Sequence, residues 1–191
     1  MKQDIQYLSK ENYKVTHWSG GKTTEICLSP ADGHYQVGGF DYRVSSATIE
    51  LNETVFTKLA GYQRIIMSLT NQIDLYHGQK HVILQPFTPY YFSGAIETKS
   101  VGKCIDFNLI YTPNFHGKMT VYNSGDYIQF IQNRHYIIYA VKNGQYYDIN
   151  SRDIIQINQH DSVQFVADTN NTWKIEHTSD SCCIVVEVYK S

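Results

Sequence analysis

Apolar residues in this chain come in short runs, many of them alternating with polar ones, and turn residues break the pattern at close intervals. A beat of two sends successive side chains to opposite faces of a strand, and helix signals are scarce beside it. Strands are predicted over Phe40–Leu51, Arg64–Thr70, Gln72–Tyr76, His81–Leu84 and Cys104–Tyr111. They resume over Tyr127–Ile131, His135–Val141, Gln145–Ile149, Asp153–Ile157, Ser162–Val166, Trp173–His177 and Cys183–Tyr189. Many short strands with frequent turns mark sandwiches and barrels, so an all-β fold is expected. One short helical turn is expected near Val55–Ala60. Asn143-Gly144 predicts a β-hairpin between Tyr136–Tyr139 and Tyr146-Tyr147, because Asn-Gly tolerates the positive φ of a type I′ turn. Thr70-Asn71-Gln72 holds the equivalent place earlier in the chain.

That equivalence extends further. Ile65-Ile66 and Ile137-Ile138 lie 72 apart, while Leu84…Phe92 and Ile157…Phe165 share one internal spacing and lie 73 apart. Each set ends in a closing strand, Cys104–Tyr111 in one case and Cys183–Tyr189 in the other. The pattern predicts an internal duplication. One barrel is expected over 1–112 with the pocket, and a degenerate barrel over 113–191, tightly packed on the first. Tyr111–Gly125 is the expected crossover.

Composition narrows the function. Hydrophobic residues make up 42% of the 191, enough for a folded core, and a net charge of −2 leaves no electrostatic footprint for nucleic acid. The aromatic share of 14%, with 16 tyrosines, suits a pleated surface. No run approaches the roughly 20 apolar residues of a membrane helix, and the first residues lack a signal peptide's apolar stretch. A cytoplasmic protein that binds no membrane is expected. Cys27, Cys104, Cys182 and Cys183 show no CxxC spacing and are expected as buried thiols. The 8 histidines form no HxH or HExxH motif, so no metal or other cofactor is expected. Gly20-Gly21-Lys22-Thr23 is not a phosphate loop, because Thr16 stands where the first glycine is required. No nucleophile elbow surrounds Ser45 or Ser46.

Charged groups inside predicted strands are the chain's main chemical signal. Arg43 and Ser45 share one strand face, Arg64 another with Ile66 and Ser68, and Asp106 and Asn108 a third. Buried charge is costly unless paired or used. In a small barrel these side chains can converge on one mouth. An arginine fork matches a carboxylate or phosphate, and two arginines against Asp106 leave one positive charge over. Internal pairing of Asp106 with either arginine is the structural alternative. Glu25, Glu50 and Asp106 are the carboxylates available for acid/base work.

Trp18-Ser19-Gly20-Gly21-Lys22-Thr23-Thr24-Glu25-Ile26, Phe40–Ala47, Phe56, Gly61-Tyr62-Gln63-Arg64, Phe92-Ser93-Gly94 and Asp106-Phe107-Asn108-Leu109 resemble the HutD/Ves family in order and spacing. The likeness covers Val15 to Tyr111 well and continues beyond Met119 in pattern only. Tyr42 stands where family members commonly have Trp, and Gln63 where they commonly have an acid. The resemblance implies an internally duplicated bicupin, two double-stranded β-helix barrels without the usual cupin metal motif. It implies a link to histidine utilisation in some members and to stress induction in others. The positions it carries over are Trp18, Thr24, Arg43, Ser45, Arg64, Asp106 and Asn108, with no catalytic residue among them. The expected function is metal-independent binding of a small anionic metabolite, such as a histidine-degradation intermediate, with a regulatory or flux-modulating role. Arg43 and Arg64 would grip the anion, Asp106 and Asn108 orient it, and Trp18 close over it. The alternative is a cofactor-free isomerase or hydrolase using Asp106 or Glu25 as acid/base. Edge strands make a homodimer the expected assembly by fold analogy.

Overall fold

The computed structural model describes residues 3–176 and 182–191, so His177, the expected end of one strand, lies outside the described residues. Apart from a 3-10 turn at Lys10–Asn12, all regular structure described is β. No helix among the described residues is long and apolar enough to cross a membrane. The strands up to the middle of the chain are β1 (Gln6–Leu8), β2 (Lys14–Trp18), β3 (Gly21–Ser29), β4 (Tyr42–Ile49), β5 (Glu53–Val55) and β6 (Gln63–Ser68). Next come β7 (Ile73–His77), β8 (Lys80–Leu84), β9 (Tyr90–Ser93), β10 (Lys99–Val101) and β11 (Cys104–Tyr111). The remainder are β12 (Phe115–Asn123), β13 (Tyr127–Phe130), β14 (His135–Ala140), β15 (Gly144–Asp148), β16 (Ile154–Ile157), β17 (Ser162–Val166), β18 (Asn171–Glu176) and β19 (Cys182–Lys190).

The chain divides into two compact units, Lys14–His116 and a second made of the segment up to Tyr13 with Gly117–Lys190. In the first, a six-stranded sheet β2-β3-β4-β11-β6-β9 accompanies a four-stranded sheet β5-β10-β7-β8. In the second, β1-β17-β14-β19-β12 accompanies β13-β18-β15-β16. The shared part is the same strand order twice over: β4-β11-β6-β9 matches β12-β19-β14-β17, and the small sheets match strand for strand. The repeat expected from spacing is therefore a repeat of topology. The N-terminal strand was expected with the first barrel, but β1 pairs with β17, Tyr7 opposite Val163, and belongs to the second unit's sheet.

Three local expectations are corrected. The expected crossover Tyr111–Gly125 holds a nine-residue strand, β12, the counterpart of β4. Val55–Ala60 forms no helix; after β5 the backbone runs irregularly to a turn at Ala60-Gly61. Asn143-Gly144 closes no hairpin, because β14 and β15 lie in different sheets and neither residue has positive φ. Gly144 packs tightly instead: a Cβ there would stand 3.0 Å from the Tyr146 ring, so the ring would have to give way by a few tenths of an ångström. The motif carries the chain between sheets, a job that hairpin statistics do not describe.

The two interiors differ. In the second unit Tyr136, Ile138, Ala140, Cys183 and Val185 pack with Phe130, Phe165 and Trp173 into one apolar core. Phe130 sits edge-on to Trp173, Phe165 and Tyr136 at 4.8, 5.1 and 4.9 Å, an arrangement that aromatic quadrupoles favour. A buried carboxylate serves this core. Asp148 Oδ2 accepts from Trp173 Nε1 at 3.1 Å and Asn171 Nδ2 at 2.7 Å, while Oδ1 takes the backbone N–H groups of Asn150 and Ser151. Burial raises the Asp148 pKa, but these hydrogen bonds outweigh it and hold it below the usual carboxylate range. Asp148→Ala strands four donors, and about 2–3 kcal/mol of stability should be lost in urea unfolding at pH 7. Because the folded pKa is depressed, that contribution is present above the ordinary aspartate value and fades as pH falls through the folded one. Equal unfolding midpoints for variant and wild type at pH 7 would contradict this.

Candidate functional site

The six-stranded sheet sets the site by register. Asn108 lies opposite Ser45 on one side and Ile66 on the other, and Ser45 lies opposite Glu25. One row along, Ile110 separates Arg43 on β4 from Arg64 on β6. The two arginines are thus two strand spacings apart, roughly 10 Å at the backbone. In the other direction Asp106 lies between Ala47 and Ser68, and Ala47 is opposite Thr23. Alternation then brings the side chains of these rows to one face.

That face borders a cavity of about 400 Å³. Trp18, Arg43, Ser45, Arg64, Asp106 and Asn108 all line it, as the sequence predicts. Thr24 does not; its neighbours Thr23 and Glu25 do, because odd-numbered positions of β3 face the cavity before the β-bulge at Ile26. Thr54, Val55, Phe56 and Thr57 form wall on and beyond β5. Tyr35, Lys14, Thr16, Ala47, Ile49 and Ile110 also line it without having been nominated from the sequence. Strict alternation from Trp18 along the hairpin was the signal available for Thr23 and Glu25. Nothing local pointed to Tyr35, which arrives on a loop.

The expected surplus of positive charge is smaller than two arginines against one carboxylate. Glu25 is a second acid, accepting from Arg43 Nε at 2.7 Å. Arg43 Nη1 donates to Ser45 Oγ at 3.1 Å, and its guanidinium lies 4.2 Å from the centre of the Tyr35 ring. Arg43 is satisfied. Arg64, 6% exposed, is not. It donates to Asn108 Oδ1 at 3.3 Å and to the Thr57 carbonyl at 3.4 Å, both long, and its buried Nε–H has no partner among the described residues. Phe56 and Phe92 present their rings at 5.0 and 5.3 Å. Burial lowers the Arg64 pKa, with Tyr35 and Asp106 acting against it, and a guanidinium stays cationic throughout the working range.

Asp106 is 2% exposed and forms no ion pair within 4 Å among the described residues. Asn108 stands between it and Arg64, donating its Nδ2 to Asp106 Oδ1 at 2.7 Å while its Oδ1 accepts from Arg64. Burial pushes the Asp106 pKa up to about 7, with Arg64, the Ala47 backbone N–H, Asn108 and Arg43 pulling the other way. The expected alternative, Asp106 paired with either arginine, is not formed; the ion pair in this cavity joins Arg43 to Glu25. Among the described residues no three His, Cys, Asp or Glu side chains converge as a metal site.

Two devices shape the mouth. Ser19-Gly20 turns β2 into β3, with Trp18 paired to Gly21. A Cβ on Gly20 would fall 2.0 Å from the Trp18 ring, so the indole, 37% exposed, lies against bare backbone. Tyr62 fixes the loop that carries Tyr35: its hydroxyl donates to the Phe40 carbonyl at 2.8 Å and accepts from Gly38 N–H at 3.1 Å. Phe40 stacks on Tyr62 at 4.5 Å and meets Tyr35 at 5.8 Å.

Two outcomes are expected. Gly20→Ala should displace the indole and raise its exposure to acrylamide quenching, while circular dichroism shows the fold intact. Quenching equal to wild type would mean that Gly20 does not seat Trp18. For Asp106, the folded pKa is raised, so its stability contribution is full below the unfolded value near 3.8 and is lost as pH rises through about 7. Asp106→Asn should therefore gain on wild type between pH 4 and pH 8, by on the order of 4 kcal/mol in urea unfolding. A difference that ignores pH would count against an elevated pKa.

Known proteins place the chain. A conserved protein of unknown function from Pseudomonas aeruginosa PAO1 superposes with a TM-score of 0.83 at 23% identity, covering 97% of this chain and 98% of that one. HutD from Pseudomonas fluorescens SBW25 (formate condition) gives 0.78 at 22% identity, covering 98% and 100%. A cupin 2 conserved barrel domain protein from Leptotrichia buccalis gives 0.56 at 9% identity, covering 92% and 91%. At these identities the likeness establishes the cupin fold, twice present here. No curated protein matches the sequence. The HutD family itself matches over residues 10–183, nearly the whole length, so this chain belongs to the HutD family.

Proposed function

We propose that the first unit binds a small carboxylate-bearing metabolite in this cavity, without a metal, and that binding serves a regulatory or flux-modulating role. One observation carries the reading. Arg64 is a buried guanidinium on the wall of a cavity of about 400 Å³, with two long hydrogen bonds and one orphaned N–H for its five donors. A buried cation so poorly satisfied is costly, and a carboxylate supplies the charge and the paired acceptors that it lacks. The volume suits a small metabolite, and the Trp18 and Phe56 rings offer apolar cover. Membership of the HutD family supports a histidine-degradation intermediate as the anion and the cytoplasm as its compartment.

A second reading is favoured by Asp106. A carboxyl raised to about 7 by burial is poised for proton transfer at neutral pH, which suits a cofactor-free isomerase or hydrolase. Turnover lost in Asp106→Asn, with binding kept, would select it.

A thermal-shift panel of small acids, urocanate and formylglutamate among them, run with and without chelator, tests the first reading. At 100 times its dissociation constant a ligand adds about 2.7 kcal/mol. Wild type should shift upward with at least one acid, chelator or not, and Arg64→Met should not shift. An unaltered response in Arg64→Met, or no response by wild type to any acid, would sink the proposal.

A further inference from the structure

Five charged groups line the cavity: Lys14, exposed at the rim, and the buried or half-buried Arg43, Glu25, Arg64 and Asp106. Arg43 and Glu25 cancel by direct contact. Arg64 and Asp106 do not touch; Asn108 separates them and hydrogen-bonds to both. Resting on the binding reading above, we propose that Asp106 is the site's specificity-determining residue: an entering carboxylate replaces it as counter-ion of Arg64, and Asp106 takes up one proton from solvent.

The balance among the groups withdrawn from solvent favours it. With Asp106 ionised Arg43, Glu25, Arg64 and Asp106 sum to zero, and an added anion gives them a net negative charge that Lys14, exposed at the rim, meets only across solvent. With Asp106 protonated there is one cation over, which one carboxylate of the ligand matches. The proton adds to the carboxylate oxygen and comes from water or buffer; no bond of the ligand breaks. A neutral Asp106 also has an O–H to donate, and a ligand carboxylate is an acceptor for it. Meanwhile the Asn108 Nδ2 and Ala47 N–H groups remain donors to Asp106, as a carboxyl accepts in either state.

Other groups around Asp106 do not substitute for it. From β4 comes Arg43, from β6 Arg64 and the hydroxyl-bearing Ser68, and from β3 Glu25, already paired. Cys104, two positions along β11, is a thiol that burial pushes up to about 12, so it stays neutral. Lys14 on β2 is exposed at the rim and solvated, and Tyr35 covers Arg43. The facing wall contributes Thr54, Val55, Phe56 and Thr57, none of which titrates in the working range. The site should therefore hold carboxylates more tightly at lower pH. Above pH 7.5, affinity in wild type falls about tenfold per pH unit.

Isothermal calorimetry with urocanate and with formylglutamate, at pH 8 in two buffers of different ionisation enthalpy, tests the inference. The expected result is an observed enthalpy that tracks the buffer with uptake close to one proton in wild type. Asp106→Asn, which keeps the size and a neutral charge, should bind with no buffer dependence and a flat pH profile. If wild type binds either acid with an enthalpy indifferent to buffer, the proton-linked role falls while the binding site stands. If neither acid binds wild type in either buffer, both readings fall together. Should the Asn variant not fold, the two-buffer measurement on wild type decides alone.

Discussion

The first unit is organised around a buried guanidinium with no carboxylate in contact among the described residues. Arg64 reaches Asp106 only through the Asn108 amide, whose carbonyl faces the cation and whose amino group faces the acid. Each partner is buried far enough to shift its pKa against its own charge. Such a relay is weaker than a fork of two direct bonds, and it leaves both ends free to answer a third charge. Arg43 shows the contrasting solution a row away, with Glu25, Ser45 and the Tyr35 ring satisfying it.

The duplicated topology makes the comparison internal. Where the first copy has Arg64, Asp106 and Asn108 on facing strands, the matching register of the second has Tyr136, Cys183 and Val185. Those three join an apolar core with Phe130, Phe165 and Trp173. One strand plan therefore supports a filled interior and a hollow polar one. Backbone hydrogen bonds in the ladders are indifferent to which side chains point inward. Packing supplies the second copy with its stability, whereas in the first an apolar cluster around Ile66, Ile73, Leu75 and Phe92 stands alongside the cavity.

Family motifs that read as isolated words become mechanical parts in the structure. Gly20 matters because the Trp18 ring occupies the space of its missing Cβ. Tyr62 matters two residues before Arg64 because its hydroxyl ties down the loop that brings Tyr35 over Arg43. The cover over the charges thus comes from a turn and a loop, outside the strands that carry the charges.

Strand character, the twofold repeat and the convergence of six of the seven nominated residues on one cavity were legible in the chain, because alternation and spacing survive folding unchanged. Arg43 with Ser45, and Asp106 with Asn108, share a face in a strand and would not in a helix. What alternation cannot give is the partner across a ladder or the phase after a bulge. Thr24 was therefore nominated where Thr23 and Glu25 face inward, and the Arg43–Glu25 pair went unassigned. Asn143-Gly144 likewise looked like a hairpin, since a turn motif records local preference and not which sheet receives the next strand. The sequence alone determined which residues are charged and which way each strand's faces divide. Only tertiary structure decided which charges meet, because contact between strands depends on register and sheet membership, and neither is a local property.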